Sequence, residues 1–296
     1  MKYLVTGSSG LIGNQLVKNL EDSGHDVFSC YYNMKPTYGI PVNLNLSKLE
    51  DIPKIITKIQ PEIIIHLAAL TDVEKCESDK DLADLINGKS TEIISNEAEH
   101  LGCYLIYLST DYVFDGKKGN YVETDFTNPL NHYGKSKLFG EKAVEQNNST
   151  WCIIRTSTPF GIHPDKKSFP IWVYENLKKN NKINVVDDQF TSPTYVSNLC
   201  NIIFEISVKK LEGYFHVSGS TRISRFEFAK KIAKKLNLDL SLLNPVSVNS
   251  MPWKAKRPLD SSLNVSKIIS SLNPKPLPIE DSLEQYIPQM THSFSL

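Results

Sequence analysis

The sequence has no excess of charge of either sign. Among its 296 residues, 33 Lys and Arg balance 33 Asp and Glu, so the formal net charge at pH 7 is zero. Such a surface lacks the broad basic patch that attracts nucleic acid or an anionic membrane. We therefore expect neither nucleic acid nor a membrane as a partner, although a local basic pocket for a phosphorylated ligand is compatible with this composition.

The sequence also lacks long apolar runs and histidines at the spacing of metal ligands. No apolar run approaches the ~20 residues that cross a bilayer, and the glycine turn at Gly7 comes too early to leave room for the core of a signal peptide. The seven histidines have no ligand spacing, so we expect no catalytic metal. An odd, scattered set of cysteines indicates reduced thiols and a cytoplasmic location; these are Cys30, Cys76, Cys103, Cys152 and Cys200.

Short apolar strands alternate with amphipathic helices in the first half of the chain. Strands that are apolar throughout and are separated by helices indicate a parallel sheet covered on both faces. The predicted fold class is therefore α/β, a Rossmann-type doubly wound parallel sheet with a smaller C-terminal α/β substrate lobe. The predicted strands are Tyr3–Val5, Asp26–Tyr31, Ile63–Ile65, Tyr104–Leu108 and Trp151–Ile154, and the predicted helices include Leu11–Leu20, Leu49–Ile59 and one long helix over about Lys80–Leu101.

The rhythm of the pattern changes after about Gly161, where prolines and short elements become frequent. We predict a larger domain over residues 1–161, which would bind the cofactor, and a smaller substrate-binding lobe over residues 162–296. The boundary is soft, and some later segments are expected to return to the sheet. Helices are predicted near Phe169–Lys178, Val196–Ile206 and Arg225–Leu236.

Three glycines mark the turn from the first strand into the first helix, in the spacing G-x-x-G-x-x-G. In a dinucleotide-binding fold, such glycines permit a tight turn, close approach of a pyrophosphate and close packing of helix on sheet. Free N–H groups and the positive helix end also favour a phosphate. The sequence predicts cofactor binding by Gly7, Gly10, Leu11, Ile12 and Gly13, and the alternative is an ordinary strand-to-helix turn.

The end of the second strand bears on the choice of nicotinamide cofactor. An NAD site usually has Asp or Glu there to hold the ribose hydroxyls, but the run Ser29–Lys35 contains no acid. This absence favours NADP(H) and leaves NAD(H) open. Asn33 and Lys35 are candidate contacts, with Lys35 as a phosphate partner or simply a solvated loop residue.

A tyrosine and a lysine lie four residues apart, at Tyr133 and Lys137, one turn along a helix. Reduction of a ketone leaves charge on oxygen, so an acid must supply a proton, and tyrosine with its pKa near ~10 is a weak donor at neutral pH. An adjacent ammonium would lower that pKa. Thr110 follows a buried strand, where its hydroxyl can bind a carbonyl oxygen. The alternative is a surface helix with an exposed tyrosine.

These residues resemble the extended short-chain dehydrogenase/reductase family, and within it the dTDP-4-dehydrorhamnose reductase branch. The resemblance runs nearly end to end. Its motifs are the glycine turn Gly7–Gly13, Leu67–Glu77, Ser109–Gly116, Pro129–Lys137, Asp188–Thr194, and Arg257-Pro258 with Ser261 and Leu263.

The resemblance implies a mechanism in which Tyr133 donates the proton, Lys137 binds the nicotinamide ribose and tunes Tyr133, and Thr110 holds the carbonyl oxygen. The C-terminal lobe would clasp a nucleotide-linked sugar, with hydride going to its 4-keto carbon. Further cofactor contacts would be Asn43, Leu44, Ala68, Ala69, Thr71 and Ser109, and substrate contacts would be Val73, Thr110, Asp111, Tyr112 and Thr158.

Two positions depart from the branch. Thr158 stands where an aromatic residue, often Trp, follows Arg-Thr-Ser, and this removes a surface on which a sugar could stack. The run Asn43–Asn45 stands where an Asp is common.

Other functions share this scaffold. The run Thr110–Tyr112 lacks the second carboxylate of the dehydratases, which disfavours dehydration, while a sugar-nucleotide epimerase is less cleanly excluded. The run Ile63–Lys142 also resembles the NADP-binding regulatory β subunit of methionine adenosyltransferase, and shared fold alone does not establish turnover. The expected partner is a second copy in a homodimer or, under that alternative, a partner enzyme. Asp111 could equally cap the next turn, and Tyr112 could equally pack beneath the C-terminal lobe. We interpret His66, His132 and His216 as structural.

Overall fold

The computed structural model describes residues 1–293 and is built around a seven-stranded parallel sheet with the order β11-β6-β5-β4-β1-β2-β3. The sheet confirms the predicted doubly wound fold. The strands are β1 (Lys2–Thr6), β2 (Asp26–Tyr31), β3 (Ile40–Asn43), β4 (Ile63–His66), β5 (Tyr104–Thr110), β6 (Trp151–Thr156), β7 (Pro159–Phe160), β8 (Ile183–Val186), β9 (Phe190–Thr191), β10 (Thr194–Tyr195), β11 (Gly213–His216), β12 (Ile223–Ser224) and β13 (Leu243–Val246).

Helices cover both faces of this sheet because successive residues of its apolar strands point to opposite sides. Ile63 and Ile65 pack in the core beneath α1 and α8, whereas Ile64 packs in the core beneath α2 and α5. The helices are α1 (Leu11–Asp22), α2 (Asp51–Ile59), α3 (Val73–Ser78), α4 (Lys80–Ala83), α5 (Ser90–Leu101), α6 (His132–Asn147), α7 (Phe169–Lys178), α8 (Val196–Lys209), α9 (Arg225–Lys235), α10 (Ser266–Ser271) and α11 (Ile279–Ser293).

The long helix predicted over Lys80–Leu101 is interrupted by a π-helical segment at Asp84–Lys89, between α4 and α5. Within it, the Asn87 carbonyl accepts hydrogen bonds from the hydroxyls of Thr91 (2.8 Å) and Tyr107 (3.4 Å). The structure is helical over the whole predicted stretch Lys80–Leu101, but apolar periodicity does not reveal a local change from α to π hydrogen bonding, so the π-helical segment was not predicted.

A second core forms the C-terminal lobe, where α7, α9 and α11 pack with the parallel pair β8 and β13. The chain between these elements returns to the larger core. Helix α8 packs against α1, and β11 adds to the sheet beside β6. A cut at residue 161 would therefore remove both α8 and β11 from the larger core.

None of the helices within residues 1–293 is long and apolar enough to cross a membrane. In the same part of the chain, no three or more His, Cys, Asp or Glu side chains are grouped to hold a metal ion.

Candidate active site

One cleft of about 1100 Å³ lies at the carboxyl ends of the central strands, where α/β sheets bind ligands. Its wall continues from the glycine turn after β1 to the end of β5 and onto the C-terminal lobe. Most of the predicted site residues line it. They are Gly7, Gly10, Leu11, Ile12, Gly13, Asn33, Leu44, Ala68, Ala69, Thr71, Val73, Thr110, Asp111, Tyr112, Tyr133 and Thr158.

The glycine turn has the geometry of a phosphate-binding turn. Gly7 has φ +69°, and a Cβ on it would lie 2.9 Å from the Ala68 nitrogen, so the turn can approach the segment after β4 only with glycine there. A Cβ on Gly13 would lie 2.2 Å from the Gly7 carbonyl oxygen. No side chain caps α1 at Gly10, and its first turn has no acidic residue. The N-terminus of α1 can therefore receive an anion.

The other end of this half of the cleft is lined by the residues that follow β2. Tyr31, Tyr32, Asn33 and Met34 line it, and no Asp or Glu within residues 1–293 lines the cleft near them. Lys35 is exposed and does not line the cleft. The structure therefore gives no support to its predicted contact with a phosphate.

Asn43 also lies outside the cleft. Its side-chain amide donates to the Tyr32 carbonyl at 3.2 Å, so it braces the loop after β2 instead of facing a ligand.

Tyr133 and Thr110 come together at the reactive end of the cleft. Asn131 caps α6 by accepting from the Gly134 N–H at 2.9 Å, which places Tyr133 in the first turn of the helix. A Cβ on Gly134 would lie 2.2 Å from the Tyr112 carbonyl oxygen, so glycine lets α6 approach the end of β5. Tyr133 and Thr110 both line the cleft, and the Thr110 hydroxyl is near enough to the Tyr133 phenol to lower its pKa.

The pKa of Tyr133 moves opposite to the expected direction. Burial raises it, while the hydrogen bond with Thr110 partly lowers it. Lys137 does not line the cleft; it is 2% exposed, and its ammonium lies 4.1 Å from the centre of the Tyr107 ring. Burial lowers the pKa of Lys137 to about 7, against the opposing effect of Glu141. In the protein alone, burial therefore outweighs any stabilisation of a Tyr133 phenolate by Lys137.

Ser109 is turned away from the cleft. Its hydroxyl donates to Glu141 at 2.5 Å, and Glu141 also accepts two hydrogen bonds from Arg155, at 2.7 and 2.9 Å. Because successive strand residues face opposite sides, Thr110 can face the cleft only if Ser109 faces α6. Ser109 therefore belongs to a buried polar cluster behind the site, and not to the predicted cofactor contacts.

Asp111 joins the site to the C-terminal lobe. It is 3% exposed and accepts hydrogen bonds from the hydroxyls of Thr110 (3.0 Å), Ser157 (2.7 Å) and Ser261 (2.5 Å). Burial raises the pKa of Asp111, although all three hydrogen bonds lower it. The cap of the following turn is Thr110, which accepts from the Tyr112 N–H. Asp111 thus fixes the direction of the Thr110 hydroxyl.

The histidines have the structural positions expected of them. His66 is buried between the hydroxyls of Thr6 (2.7 Å) and Thr91 (3.0 Å), and burial lowers its pKa to about 3. His132 contacts Asp84 at 2.9 Å, and the buried His216 ring lies 3.0 Å from the Tyr121 carbonyl oxygen.

Several residues that line or support the site were missed by the sequence analysis, and three of them determine its shape or charge. Asn87 is fully buried, bonds both backbone groups of Leu70 and donates to Ser136, and so holds the segment that lines the cleft after β4. Lys166 and Arg225 bring positive charge to the cleft from the C-terminal lobe. No local pattern marked them, because only the packing of the lobe brings them to the cleft.

Comparison with known proteins gives consistent matches over the whole chain. The family described as RmlD substrate binding domain matches residues 1–292. A probable low-salt glycan biosynthesis reductase of Haloferax volcanii is 31% identical over 96% of both chains, and the methionine adenosyltransferase 2 subunit beta of Rattus norvegicus is 31% identical over 97% of this chain and 88% of that protein. The crystal structure of dTDP-4-dehydrorhamnose reductase from Bacillus anthracis in complex with NADP has a TM-score of 0.88 and 32% identity, and covers 98% of this chain and 100% of that one.

Proposed function

This chain belongs to the RmlD substrate binding domain family, and from that premise we propose that it is an NAD(P)H-dependent reductase of a nucleotide-linked 4-keto-6-deoxysugar. The observation that carries the proposal is the single cleft that joins the glycine turn to Thr110 and Tyr133. A phosphate-binding turn at one end and a hydroxyl pair at the other suit a dinucleotide and a carbonyl substrate bound side by side. The names of the relatives, two of them reductases, support the same reaction.

The residues present fit a nicotinamide dinucleotide. Among residues 1–293, leaving aside the chain neighbours and the backbone of α1, a Cβ on Gly10 would meet only the Gly7 carbonyl oxygen and the Lys166 ammonium within 4 Å, so a phosphate has room to approach the turn. The lack of a carboxylate near Asn33 favours NADP(H), since no like charge repels the 2′-phosphate; NAD(H) is the second choice. When bound, the cofactor supplies the hydride.

Residues of this chain would supply the proton for the reduction. Tyr133 would give its proton to the carbonyl oxygen of the sugar as the carbon is reduced. In the protein alone, Thr110 donates its one hydroxyl hydrogen to Asp111, so it would hold the carbonyl oxygen by turning that hydrogen towards the substrate. After the proton transfer, Tyr133 is a phenolate. The protonated form of Lys137, whose pKa is about 7, would stabilise that phenolate.

Both lobes would take part in binding the two ligands, the cofactor and the nucleotide sugar. Residues 1–161 would hold the cofactor, and the smaller C-terminal lobe would bind the nucleotide sugar together with Val73, Tyr112 and Thr158 of the larger domain, which line the cleft. We further propose a cytoplasmic protein that forms a homodimer.

The test is the oxidation of NADPH, followed by absorbance, with a dTDP-4-keto-6-deoxysugar prepared in situ and with NADH in parallel. We expect turnover with NADPH, and less with NADH. Tyr133→Phe serves as the inactive control, since it removes only the proton donor. Tight NADPH binding without turnover on any 4-keto sugar nucleotide would overturn the reductase proposal.

A second candidate function is regulatory. The 31% identity to the methionine adenosyltransferase 2 subunit beta of Rattus norvegicus, over 97% of this chain, favours it. This role predicts that the purified chain binds a methionine adenosyltransferase catalytic subunit and changes its kinetics. Absence of co-elution on gel filtration at micromolar concentration would count against it.

A further inference from the structure

Residues 162–168 form a strap that connects β7 to α7 and lies on the glycine turn. His163 is buried, and its two ring nitrogens have fixed roles. Nδ1 accepts from the Asp165 N–H at 3.1 Å, so Nε2 carries the hydrogen and donates to the Ser9 carbonyl at 3.0 Å. The Ser168 hydroxyl donates to the Gly161 carbonyl at 3.0 Å and lies 3.4 Å from the Tyr286 hydroxyl of α11, in the C-terminal lobe. The strap is therefore attached to the turn near its start and to the lobe at its end.

Lys166 lies between these two attachments, with its ammonium in front of the turn. Its Nζ would be 3.7 Å from a Cβ on Gly10, in the direction from which a phosphate would approach α1. Within residues 1–293, no carboxylate lies within ion-pair distance of Lys166, whereas the neighbouring Lys167 pairs with Glu175 at 2.6 Å. An unpaired cation beside the positive end of a helix is favourable only when an anion lies between them.

We propose that Lys166 binds the diphosphate of the dinucleotide, so that the strap and the N-terminus of α1 hold it from opposite sides. This inference rests on the proposed cofactor. Lys35, the cation expected from the sequence to meet a phosphate, lies outside the cleft, whereas Lys166 lines it; both lysines are exposed. Arg225 does line the cleft, but its Nε donates to Gln189 at 2.8 Å. Within residues 1–293, Lys166 is thus a cation beside the turn that forms no ion pair with a carboxylate.

The position of Lys166 predicts a specific pattern of cofactor affinity. The diphosphate is common to NADPH and NADH, so loss of the Lys166 charge should weaken both by the same factor. A contact with the 2′-phosphate would weaken NADPH alone. One charge-assisted hydrogen bond corresponds to roughly 10-fold in Kd.

The experiment measures Kd for NADPH and NADH by calorimetry on the full chain, at low and high salt. Lys166→Met should weaken both cofactors by roughly 10-fold, with a smaller effect at high salt, and Lys166→Arg should restore most of the affinity. Lys182→Met is the matched control, because Lys182 is an exposed lysine of the same lobe outside the cleft. Lys35→Met should leave both affinities unchanged.

The following outcomes would contradict the inference that Lys166 binds the diphosphate. Unchanged Kd values for Lys166→Met would show that Lys166 does not contact the cofactor. A weaker Kd for NADPH alone would assign Lys166 to the 2′-phosphate. Equal weakening by Lys182→Met would mean that the effect is only one of net charge. Failure of the unaltered protein to bind either cofactor would remove both this inference and the proposed function, whereas binding that depends on Lys166 without turnover would remove only the reductase.

Discussion

The buried ion pair between Glu141 and Arg155 leads to a quantitative prediction about stability. Arg155 donates to both carboxylate oxygens, and the two side chains are 4% (Arg155) and 0% (Glu141) exposed. Glu141→Gln would leave the guanidinium buried without a carboxylate, which costs about 3–5 kcal/mol of unfolding free energy. At about 2–4 °C per kcal/mol, we expect the Tm to fall by roughly 6–20 °C.

The matched control is the ion pair between Lys18 and Asp22, which at 2.5 Å is no longer than the 2.7 Å of the buried pair but is exposed on α1. Asp22→Asn should leave the unfolding free energy nearly unchanged, because solvent already screens that pair. Urea and thermal unfolding, followed by circular dichroism, measure both variants. A Glu141→Gln variant as stable as Asp22→Asn would refute the reasoning that burial decides the value of the pair.

Glu141→Gln has a second consequence, for the pH profile of turnover. The Glu141 carboxylate raises the pKa of Lys137, which burial otherwise lowers to about 7. Without that carboxylate the pKa of Lys137 falls further, so its ammonium is lost at a lower pH. If turnover needs the ammonium, the alkaline limb of the kcat profile moves to lower pH; an unmoved limb would show that Lys137 does not set it.

Three further changes test the site and the core. Tyr133→Phe should abolish NADPH oxidation while changing cofactor Kd by no more than about twofold, and retained turnover would exclude Tyr133 as the proton donor. Gly10→Val should weaken NADPH and NADH alike, because its side chain fills the space beside Lys166; unchanged Kd values would argue against a phosphate at this turn. Burial lowers the pKa of His66 from 6.5 to about 3, so between these values the unfolded chain binds a proton that the folded chain does not. Unfolding free energy should therefore decrease as the pH falls through this window, by up to about 1.4 kcal/mol per pH unit for this group, and His66→Asn should reduce that slope.

Local patterns predicted much of the fold and one end of the site. The spacing of Gly7, Gly10 and Gly13 reflects contacts within a single turn, and Tyr133 follows a cap only two residues away. Apolar strands predicted the parallel sheet because burial on both faces leaves few polar positions. Such features are determined by neighbours in the sequence, and the structure contains them where they were expected.

Features that depend on tertiary packing were not predictable in the same way. The spacing of Tyr133 and Lys137 indicates that they lie near each other along a helix, but not that burial would raise one pKa and lower the other. Lys166 reaches the glycine turn only because His163, in a different lobe, binds the Ser9 carbonyl. The sequence indicated Lys35 as the cation for a phosphate, because it follows the second strand. The fold shows that Lys35 lies outside the cleft.

The position of β11 in the sheet has a consequence for synthesis of the protein on the ribosome. Strand β6 has β5 on one side, and its other edge is covered only when residues 213–216 pair with Cys152–Arg155. At about 5–20 residues per second, residues 157–216 take roughly 3–12 s to be made. During that time a nascent chain exposes an unpaired apolar edge strand, which is a template for aggregation. A fragment that stops at residue 161 would keep that edge permanently, so we expect it to require a chaperone or to precipitate, and a fragment extended through β11 to be the more soluble of the two.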